Sequence, residues 1–455
     1  MDSLMIGVSG IRGIVGTSLT PELLTRFALA FGTYVDGGRV VVARDTRTSG
    51  AMIKHSVLAG LLSAGCSIVD IGVCPTPTAS LMITELGADG GVVITGSHNP
   101  IEWNALKFMG AGGICLSEAE GRRLLDIYYE GNFTAVDWSG LKEVEVNDSA
   151  LDIHIKRVLS NIDVALVRSK RFKVALDSCN GAGSVITPRM LEALGCTVVG
   201  INTTPDGLFP HNPEPTFEHL DGLVQAVKDG RMDIGFAQDA DADRLAIIDE
   251  RGNYPGEEYT LALAAKHILS TRRGPVAANL STSRMLDDVA AKSGVPVIRT
   301  KVGEANVANA MKDNGCVAGG EGNGGVIDPR TCFTRDSLSG MALILELLAR
   351  EGRSISSVIA SIPAYAMCKM KFPCARGKVS KVLAAARKNA DTAVINDQDG
   401  IRLDWPDRWV HVRPSNTEPA VRVIAEAPGA DAAKALCDKY MALSQSAAEA
   451  PNGKG

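Results

Sequence analysis

A plan of strand, loop, helix and strand occurs three times in this sequence, and it limits the folds that the chain can adopt. Each copy opens with an apolar strand, continues through a polar loop into a helical stretch, and closes that stretch with a glycine that suits a helix C-terminus. A second apolar strand follows. The opening strands cover 40–43, 173–176 and 275–278, the glycines are Gly65, Gly195 and Gly294, and the second strands cover 67–69, 197–199 and 295–298. Strands that alternate with helices predict three topologically similar α/β domains with mixed, mainly parallel sheets.

The last part of the chain has a different pattern. Residues 375–395 are alanine-rich and predict a helix, whereas 400–405, 409–413 and 421–425 alternate apolar and polar residues like half-buried antiparallel strands. This pattern predicts a C-terminal α+β domain. A chain of 455 residues is too long for one core and predicts three or four domains, and with this C-terminal domain we predict four. Their ranges are 1–150, 151–252, 253–368 and 369–446.

Each of the three repeats contains a further glycine-flanked strand that ends in a loop with reactive side chains. The loops are Thr95-Gly96-Ser97, Gln238-Asp239-Ala240-Asp241 and Gly320-Glu321-Gly322-Asn323-Gly324-Gly325. Sites in such sheets lie at the carboxyl ends of strands. The sequence therefore predicts a common cleft that receives a serine, a carboxylate cluster, and a glutamate with an asparagine.

Three aspartates at alternate positions give the strongest local signal. Asp239, Asp241 and Asp243 follow a strand, and their period-2 spacing places them on one side of an extended loop, where their oxygens can converge on a hard divalent cation. An EF-hand calcium loop is an alternative, but its sixth position needs glycine and holds Arg244, and the flanking segments resemble strands. A solvated acidic turn is another alternative. A phosphate on Ser97 would supply a further ligand oxygen.

Ser97 follows the apolar segment 91–94, and its hydroxyl is the candidate carrier of a phosphoryl group. A helix N-cap is the alternative role for this serine. Phosphate on Ser97 would carry a charge of about −1.5 to −2 at neutral pH. Neighbouring side chains in an extended turn point apart, so we expect His98 to contact the phosphate or the substrate rather than act as a base on Ser97. Lys107 follows at a spacing that can reach the same cleft, and a solvated surface lysine is its alternative.

Two segments suggest binding of an anion. The loop Arg413-Pro414-Ser415-Asn416-Thr417-Glu418-Pro419 offers a guanidinium, hydroxyls and an amide, and Arg413 or Arg422 can give charge-assisted hydrogen bonds to a phosphate dianion. An ordinary hairpin turn is the alternative for this loop. Arg12 is bracketed by glycines, which is typical either of a tight turn with a surface arginine or of a phosphate clamp.

The glycine-rich loop of the third repeat suggests binding of a sugar. Glu321 and Asn323 can accept from and donate to sugar hydroxyls, and glycines such as Gly324 allow the backbone to approach a ligand closely. Glycine-rich turns are common, so this loop indicates a sugar site only in combination with the other motifs.

The composition excludes some partners. A net charge of −5 argues against a nucleic acid or an anionic membrane as the partner of the whole surface. The sequence has no apolar run of the roughly 18 residues that a membrane span needs and no visible signal peptide. The ten cysteines are scattered, which is typical of reduced core residues in a cytoplasmic protein. We expect a monomer or a homodimer.

These motifs together resemble the α-D-phosphohexomutase superfamily over nearly the full length of the chain. The matching segments are Ser9-Gly10-Ile11-Arg12-Gly13, Thr95-Gly96-Ser97-His98-Asn99-Pro100, 239–244, Gly320-Glu321 and 413–419. Segments 103–107, 321–325 and 413–419 most resemble the phosphoglucosamine mutases within the superfamily. One departure lies in the loop of the third domain, where the common form Gly-Glu-x-Ser-Gly-His has a serine and a histidine that this chain lacks.

The resemblance implies four domains around a cleft and a role for each matching residue. It implies a phosphoserine at Ser97 and Mg²⁺ held by Asp239, Asp241, Asp243 and that phosphate. Arg12, His98, Lys107 and Arg244 match residues around the transferring group, and Glu321 matches a sugar ligand, beside which Asn323 and Gly324 are further candidates. Arg413, Ser415, Asn416 and Thr417 match the loop that grips the non-reacting phosphate of the substrate, with Arg422 as a further candidate.

The activity that the resemblance implies is the interconversion of hexose 6-phosphate and hexose 1-phosphate. The reaction would pass through a sugar 1,6-bisphosphate, which would also serve as activator, and glucosamine phosphate is the expected substrate. Phosphomannomutase or phosphoglucomutase activity is the alternative. Two other classes are a metal-dependent sugar-phosphate phosphatase and a non-catalytic sugar-phosphate-binding protein. We expect a hinge near residues 365–375 to let the last domain move while the intermediate turns over.

Overall fold

The strands of the chain form four sheets that follow one another in sequence. A computed structural model describes residues 4–7, 10–415 and 419–450. The first sheet has seven strands in the order β1-β2-β6-β5-β3-β4-β7. The elements of this part are β1 Met5–Gly7, β2 Gly10–Ile14, α1 Pro21–Tyr34, β3 Arg39–Arg44, α2 Gly50–Ser63, β4 Ser67–Val73, α3 Thr76–Glu85, β5 Gly90–Ile94, β6 Trp103–Gly110, α4 Glu118–Glu130 and β7 Val144–Val146.

The second and third sheets have four strands each. The second part contains α5 Ala150–Leu159, α6 Val164–Lys170, β8 Lys173–Asp177, α7 Thr187–Ala193, β9 Thr197–Ile201, α8 Asp221–Gly230, β10 Ile234–Gln238 and β11 Leu245–Ile248. The third contains α9 Glu258–Thr271, β12 Val276–Asn279, α10 Met285–Lys292, β13 Val297–Thr300, α11 Glu304–Asn314, β14 Ala318–Glu321, β15 Gly325–Ile327, α12 Ser337–Glu351 and α13 Ile355–Ile359.

The same four-strand arrangement recurs in these three sheets. The orders β6-β5-β3-β4, β11-β10-β8-β9 and β15-β14-β12-β13 are equivalent, and in each the first strand is antiparallel to three parallel strands. Gly65, Gly195 and Gly294 follow the helices α2, α7 and α10 with φ between +65° and +78°, a conformation that favours glycine. The predicted threefold α/β repeat is confirmed. The loops after β5, β10 and β14 therefore leave equivalent edges of three equivalent sheets.

The fourth sheet is antiparallel and closes the chain. Its elements are β16 Ala366–Pro373, α14 Val379–Lys388, β17 Val394–Asn396, β18 Ile401–Asp404, β19 Trp409–Pro414, β20 Ala420–Ala427 and α15 Ala430–Glu449, with the strand order β16-β20-β19-β18-β17. Both helices pack on this sheet around Val382, Val412 and Tyr440. The predicted α+β domain is confirmed.

One expectation for this region was too broad, and a strand lies where another expected a hinge. The alanine-rich stretch 375–395 is helical over a 3-10 turn, Arg376–Lys378, and the helix Val379–Lys388, and the edge strand Val394–Asn396 follows. The expected hinge at 365–375 is mostly strand β16, which pairs with β20 along its whole length. The irregular connection to the last sheet spans 360–365.

Continuous burial of the central strands fixes where the loops begin. Every residue of β5, β10 and β14 is buried, as expected for strands that are covered on both faces of a sheet. One hydrophobic cluster joins the second and third sheets, because α9 and α12 contribute to both cores. The ranges 1–150, 151–252 and 253–368 each contain one complete sheet, and the last sheet begins at Ala366. We propose the four predicted ranges, with 369–446 as the last, as the domains of the chain.

None of the helices in the described part of the chain combines the length and the apolar character that a membrane crossing requires.

Candidate active site

Ser97 lies in a tight turn after β5 and is 3 % exposed. Its φ of +49° is in the left-handed region, which strains a non-glycine residue. The Ser97 amide donates to Thr95 Oγ1 at 2.9 Å, and the Thr95 hydroxyl donates to Asp45 Oδ2 at 2.6 Å, so two side chains hold the strained turn. The chain continues from this turn into strand β6, which excludes the helix N-cap alternative.

The turn is not extended, and this changes the relation between Ser97 and His98. The Oγ of Ser97 is 3.4 Å from Nδ1 of His98 and 3.3 Å from Oδ2 of Asp239. Our expectation that the serine and histidine side chains point apart was therefore wrong. The structure brings the candidate nucleophile, the histidine and the acidic cluster to one place.

Arg47, which the sequence analysis did not identify, organises this turn. Its guanidinium is fully buried and donates to the carbonyl oxygens of four loop residues at 2.6–3.0 Å. These residues are Ser97, Asn99, Pro100 and Trp103. The Arg47 Nε donates to Asp45 Oδ2 at 3.0 Å, and the ring of Phe209 from the second domain covers the guanidinium at 4.8 Å. The serine turn is thus built around a buried cation.

The three aspartates lie in a turn between the antiparallel strands β10 and β11, which excludes an EF-hand and its two helices. Ala242 has φ +55°, and its amide donates to the carbonyl of Asp239 at 3.1 Å. The extended loop that we expected is therefore wrong, although the side chains converge as predicted. One oxygen from each of Asp239, Asp241 and Asp243 lies within 4.8 Å of the others. All three are 0 % exposed, which excludes a solvated acidic turn.

The protein holds one oxygen of each of these carboxylates, the second oxygen of Asp239 faces the Ser97 hydroxyl, and the second oxygens of Asp241 and Asp243 have no hydrogen-bond partner among the described residues. Asp239 Oδ1 accepts from two backbone amides, Asp241 Oδ2 accepts from Thr76 and Lys107 at 2.6 Å each, and Asp243 Oδ2 accepts from Arg335 at 2.6 Å. Asp241 Oδ1 and Asp243 Oδ1 are buried without a hydrogen-bond partner among the described residues. Unpaired buried carboxylate oxygens are costly, and hard cations prefer such ligands. This donor set fits Mg²⁺.

The environment of the cluster shifts the pKa values of two of its carboxyl groups in opposite directions. Burial, with the charges of Asp243 and Asp241, raises the pKa of Asp239 well above its usual value. Burial also disfavours the charged form of Asp243, but Arg335, Lys107 and Arg244 outweigh it and lower the pKa of Asp243. These opposite shifts are typical of carboxylates that share a buried site.

Cationic groups from the other loops surround Ser97. Arg244 donates from Nη1 to Glu214 Oε1 at 3.1 Å and from Nη2 to His98 Nδ1 at 3.0 Å. Burial, reinforced by Arg244 and Arg12, lowers the pKa of His98 to about 2, so this imidazole is neutral. Arg12 on β2 donates to Asn99 Oδ1 at 2.8 Å. Arg12, His98 and Arg244 therefore meet around the serine turn.

Lys107 on β6 faces the carboxylates. Its Nζ is 2.6 Å from Asp241 Oδ2 and 3.5 Å from Asp243 Oδ2. Burial disfavours the ammonium form, but Asp241 and Asp243 outweigh it and raise the pKa of Lys107. The side chain is 15 % exposed, so a solvated surface lysine is excluded.

Glu321 ends β14 and is held from three directions. Its Oε1 accepts from Asn279 Nδ2 at 2.8 Å and from the Gly303 amide at 3.2 Å, and its Oε2 accepts from Arg335 Nη1 at 2.7 Å. The neighbouring Asn323 has a buried Oδ1 without a hydrogen-bond partner among the described residues. Glu321 is thus fixed, and Asn323 has an acceptor available for a ligand.

The glycines of this loop allow close approach to protein groups. A Cβ on Gly322 would lie 2.1 Å from both carboxylate oxygens of Glu258, and one on Gly324 would lie 2.4 Å from the carbonyl oxygen of Leu245. Gly324 has φ +84°, and its carbonyl accepts from the Leu245 amide at 3.0 Å. Gly324 therefore joins the sugar loop to strand β11 directly after the acidic turn.

Two arginines flank loop 413–419 of the last domain, which is expected from the sequence to bind a phosphate. Arg413 on β19 is opposite Arg422 on β20, so their side chains lie on the same face of the sheet. Asp399 Oδ2 accepts from Arg413 Nε at 3.0 Å and from the Val302 amide of the third domain at 3.0 Å. The Nη2 of Arg413 is buried without a hydrogen-bond partner among the described residues, as an arginine poised for an anion requires. Ser415 follows β19, while Asn416 and Thr417 lie outside the described residues.

Known proteins with the same domains were found by sequence and by structure. The chain matches four families described as phosphoglucomutase/phosphomannomutase alpha/beta/alpha domains I, II and III and the C-terminal domain, over 3–135, 152–252, 256–365 and 370–443 respectively. It is 38 % identical to a probable phosphoglucosamine mutase of Methanopyrus kandleri, over 96 % of each chain. It is also 38 % identical to a phosphoglucomutase/phosphomannomutase of Thermococcus kodakarensis, over 94 % of this chain and 96 % of that protein.

Solved structures agree with these sequence matches. A phosphoglucomutase/phosphomannomutase family protein from Burkholderia thailandensis aligns with a TM-score of 0.87 at 27 % identity, over 98 % of each chain. An Aspergillus fumigatus N-acetylphosphoglucosamine mutase, solved with GlcNAc-6P and magnesium, shares the fold with a TM-score of 0.60 at 16 % identity, over 98 % of this chain and 96 % of that one. The chain belongs to the phosphoglucomutase/phosphomannomutase family and is a phosphohexomutase.

Proposed function

We propose that this protein interconverts hexose 6-phosphate and hexose 1-phosphate through a phosphorylated Ser97, with glucosamine phosphate as the preferred substrate. The position of the Ser97 hydroxyl, 3.3 Å from Asp239 beside two unpaired carboxylate oxygens, carries the proposal. Relatives named phosphoglucosamine mutase support the choice of sugar. A relative named phosphoglucomutase/phosphomannomutase makes glucose and mannose phosphates the alternative substrates.

The reaction exchanges one phosphate ester for another. The bond between phosphorus and Ser97 Oγ breaks while a sugar hydroxyl oxygen forms a new bond to phosphorus, which gives a sugar 1,6-bisphosphate. Transfer of the other phosphate back to Ser97 releases the isomeric monophosphate. The bisphosphate also primes an unphosphorylated enzyme, so we propose it as activator. Such transfers depend mainly on positioning and on charge stabilisation.

The residues around Ser97 have separate roles in this scheme. Asp239, Asp241 and Asp243 would hold Mg²⁺, which when bound supplies electrostatic stabilisation of the charge on the transferring group. Arg244 and Arg12 add fixed positive charge on the side of the serine turn. The neutral His98 orients Arg244 through Nδ1.

Lys107 is the candidate for proton transfer at the sugar oxygen. In the first transfer the attacking sugar hydroxyl loses a proton while the leaving Ser97 Oγ gains one. The contacts with Asp241 and Asp243 keep Lys107 protonated, so Lys107 gives its proton to the sugar oxygen in the return transfer, when that oxygen leaves phosphorus, and the proton that Ser97 then releases restores the ammonium. The ammonium also compensates the carboxylate charge.

Substrate orientation is assigned to the third and fourth domains. Glu321, Asn323 and Gly324 would contact the sugar, and Arg413, Ser415, Asn416, Thr417 and Arg422 would hold its non-reacting phosphate. The fourth domain meets the third through polar contacts, such as Ser281 Oγ to His411 Nδ1 at 2.9 Å and the Arg284 amide to Glu426 Oε1 at 3.0 Å. Polar interfaces of this kind accommodate domain motion, and the connection 360–365 is the proposed hinge.

The deciding experiment follows phosphorus NMR of the protein with Mg²⁺, a trace of sugar 1,6-bisphosphate and either glucosamine, glucose or mannose 6-phosphate. We expect the 1-phosphate to form fastest from glucosamine 6-phosphate and Ser97→Ala to abolish turnover. Stoichiometric release of inorganic phosphate would indicate the phosphatase instead. Absence of turnover and of label on Ser97 would indicate a non-catalytic binder.

We further propose a cytoplasmic location, which the ten unpaired cysteines support, and a monomer or homodimer.

A further inference from the structure

Arg335 connects the acidic cluster to the sugar loop, and neither the sequence motifs nor the proposed mechanism accounts for it. It directly precedes α12 and is 7 % exposed. Its Nη2 donates to Asp243 Oδ2 at 2.6 Å, and its Nη1 donates to Glu321 Oε2 at 2.7 Å. Its Nε also lies 3.2 Å from Glu304 Oε2. One planar guanidinium therefore spans a proposed metal ligand and a proposed sugar ligand.

The backbone that carries Arg335 is fixed to both loops. The amide of Asp336 donates to the Val326 carbonyl in β15 at 2.7 Å, and the hydroxyl of Ser337 donates to the Ala242 carbonyl in the acidic turn at 2.6 Å. The Asp336 carboxylate caps α12 by accepting from the amides of Leu338 and Ser339. The arginine thus extends from a rigid helix start that touches both partners.

Gly325 provides the space that this arginine needs. A Cβ on Gly325 would lie 2.1 Å from Arg335 Cδ and 2.8 Å from Cγ, too close for real atoms. The φ of Gly325 is outside the left-handed region, so the backbone itself would accept a side chain. The arginine stem, rather than local strain, requires glycine at 325. Residues 325 and 335 therefore depend on each other.

We infer that Arg335 couples the sugar site to the metal site, so that a hexose phosphate and a divalent cation bind cooperatively. A sugar that engages Glu321 fixes the guanidinium, and the fixed guanidinium holds Asp243 with its Oδ1 facing the cluster. Coupling of this kind is reciprocal, so the cation must strengthen sugar binding by the same factor. Arg335 is a positioning residue, and the inference rests on the proposed function for the identity of the two ligands.

The test measures binding without turnover. In a Ser97→Ala background, calorimetry gives the dissociation constant of Mg²⁺ with and without saturating glucosamine 6-phosphate. We expect the sugar phosphate to tighten Mg²⁺ binding about tenfold, within the usual range of coupling. Arg335→Met should reduce this ratio to near one, and Arg335→Lys should leave a partial effect because one ammonium cannot bridge two carboxylates in the same geometry.

Arg330→Met is the matched control. Arg330 lies in the same segment, but its guanidinium pairs with Asp328 at 2.6 Å and donates to the Asn161 carbonyl at 2.7 Å, so Arg330→Met should keep the full ratio. Sugar binding with an unchanged ratio in Arg335→Met would overturn the coupling and leave the mutase proposal intact. Failure of the parent to bind the sugar phosphate would overturn both.

A second pair of variants tests the space at 325 even if Arg335→Met folds poorly. Gly325→Ala should lower the thermal midpoint and weaken the coupling, because the new methyl displaces the arginine. The same methyl should have no further effect on either quantity in an Arg335→Ala background. Equal effects of Gly325→Ala in both backgrounds would show that Arg335 does not set this requirement.

Discussion

Loss of the Arg47 guanidinium should open the serine turn before the rest of the protein unfolds. Arg47→Met removes the donor to four carbonyl oxygens, of which that of Ser97 is buried, and leaves the buried Asp45 carboxylate without its cation. Removing one partner of a buried ion pair costs about 3–5 kcal/mol, and the unsatisfied Ser97 carbonyl adds about 1 kcal/mol or more. Relaxation and water entry offset part of this sum, so we expect a local loss of at least about 3 kcal/mol.

Hydrogen exchange measures this loss directly. The amides of Ser97, Asn99 and Trp103 make hydrogen bonds within the turn. At about 1.4 kcal/mol per factor of ten, their protection in Arg47→Met should fall about a hundredfold, and turnover should fall with it because Ser97 loses its position. Arg47→Lys should lie between, since an ammonium keeps the charge but has fewer donors.

Two comparisons make the result specific. Arg44→Met is the matched control, because the Arg44 guanidinium donates to the Asp45 carbonyl and not to the serine turn. Asp45→Asn together with Arg47→Met should recover part of the loss, since the uncompensated carboxylate is gone. Unchanged protection of the three amides with normal turnover in Arg47→Met would refute the view that a buried cation holds the turn.

Three further predictions concern other parts of the site. Burial lowers the pKa of His411 to about 4. Because this histidine has a pKa of about 6.5 in the unfolded chain, the unfolded chain takes up the proton first as the pH falls, and the free energy of unfolding should fall by about 3 kcal/mol from pH 6.5 to 4. Urea midpoints measured across this range should depend less on pH in His411→Gln. Asp241→Asn should weaken Mg²⁺ binding in calorimetry by more than the roughly 100-fold that loss of an outer partner produces. Gly322→Ala should raise KM for the hexose phosphate because its methyl meets the Glu258 carboxylate, and Glu258→Ala should restore it; a KM that stays normal would argue against this packing.

Most of the fold and the location of the site were predictable from the sequence. The repeat of strands, helices and terminal glycines is a local pattern, and parallel strands bring their carboxyl ends to one edge. Those two facts place Ser97, Asp239 and Glu321 at equivalent edges of three equivalent sheets. The helix prediction over 375–395 was right for Arg376–Lys378 and Val379–Lys388 and too long at its end, because alanine content indicates helix formation but not where a helix stops, here before Asn389.

The turn geometry was not predictable in the same way. Ser97 and Ala242 both have positive φ, although neither is glycine. Tertiary contacts impose these conformations, such as the Arg47 guanidinium on the Ser97 carbonyl and the Ser337 hydroxyl on the Ala242 carbonyl. An extended backbone was the natural prediction for both loops from their local sequence, and this prediction misplaced the side chain of His98.

Of the two cations closest to the acidic cluster, Lys107 lies in a sequence motif and Arg335 does not, yet the cluster demands both. Oxygens of three carboxylates within 4.8 Å repel by at least about 3.5 kcal/mol per pair at an effective dielectric of about 20. The second domain, which carries the aspartates, does not supply the closest compensation. Lys107 comes from the first domain and Arg335 from the third, each 2.6 Å from a carboxylate oxygen. The charge balance therefore exists only when three domains meet, which links assembly of the cleft to its capacity for a cation. A buried acidic motif in one repeat is thus a reason to search the loops of the other repeats for lysine and arginine.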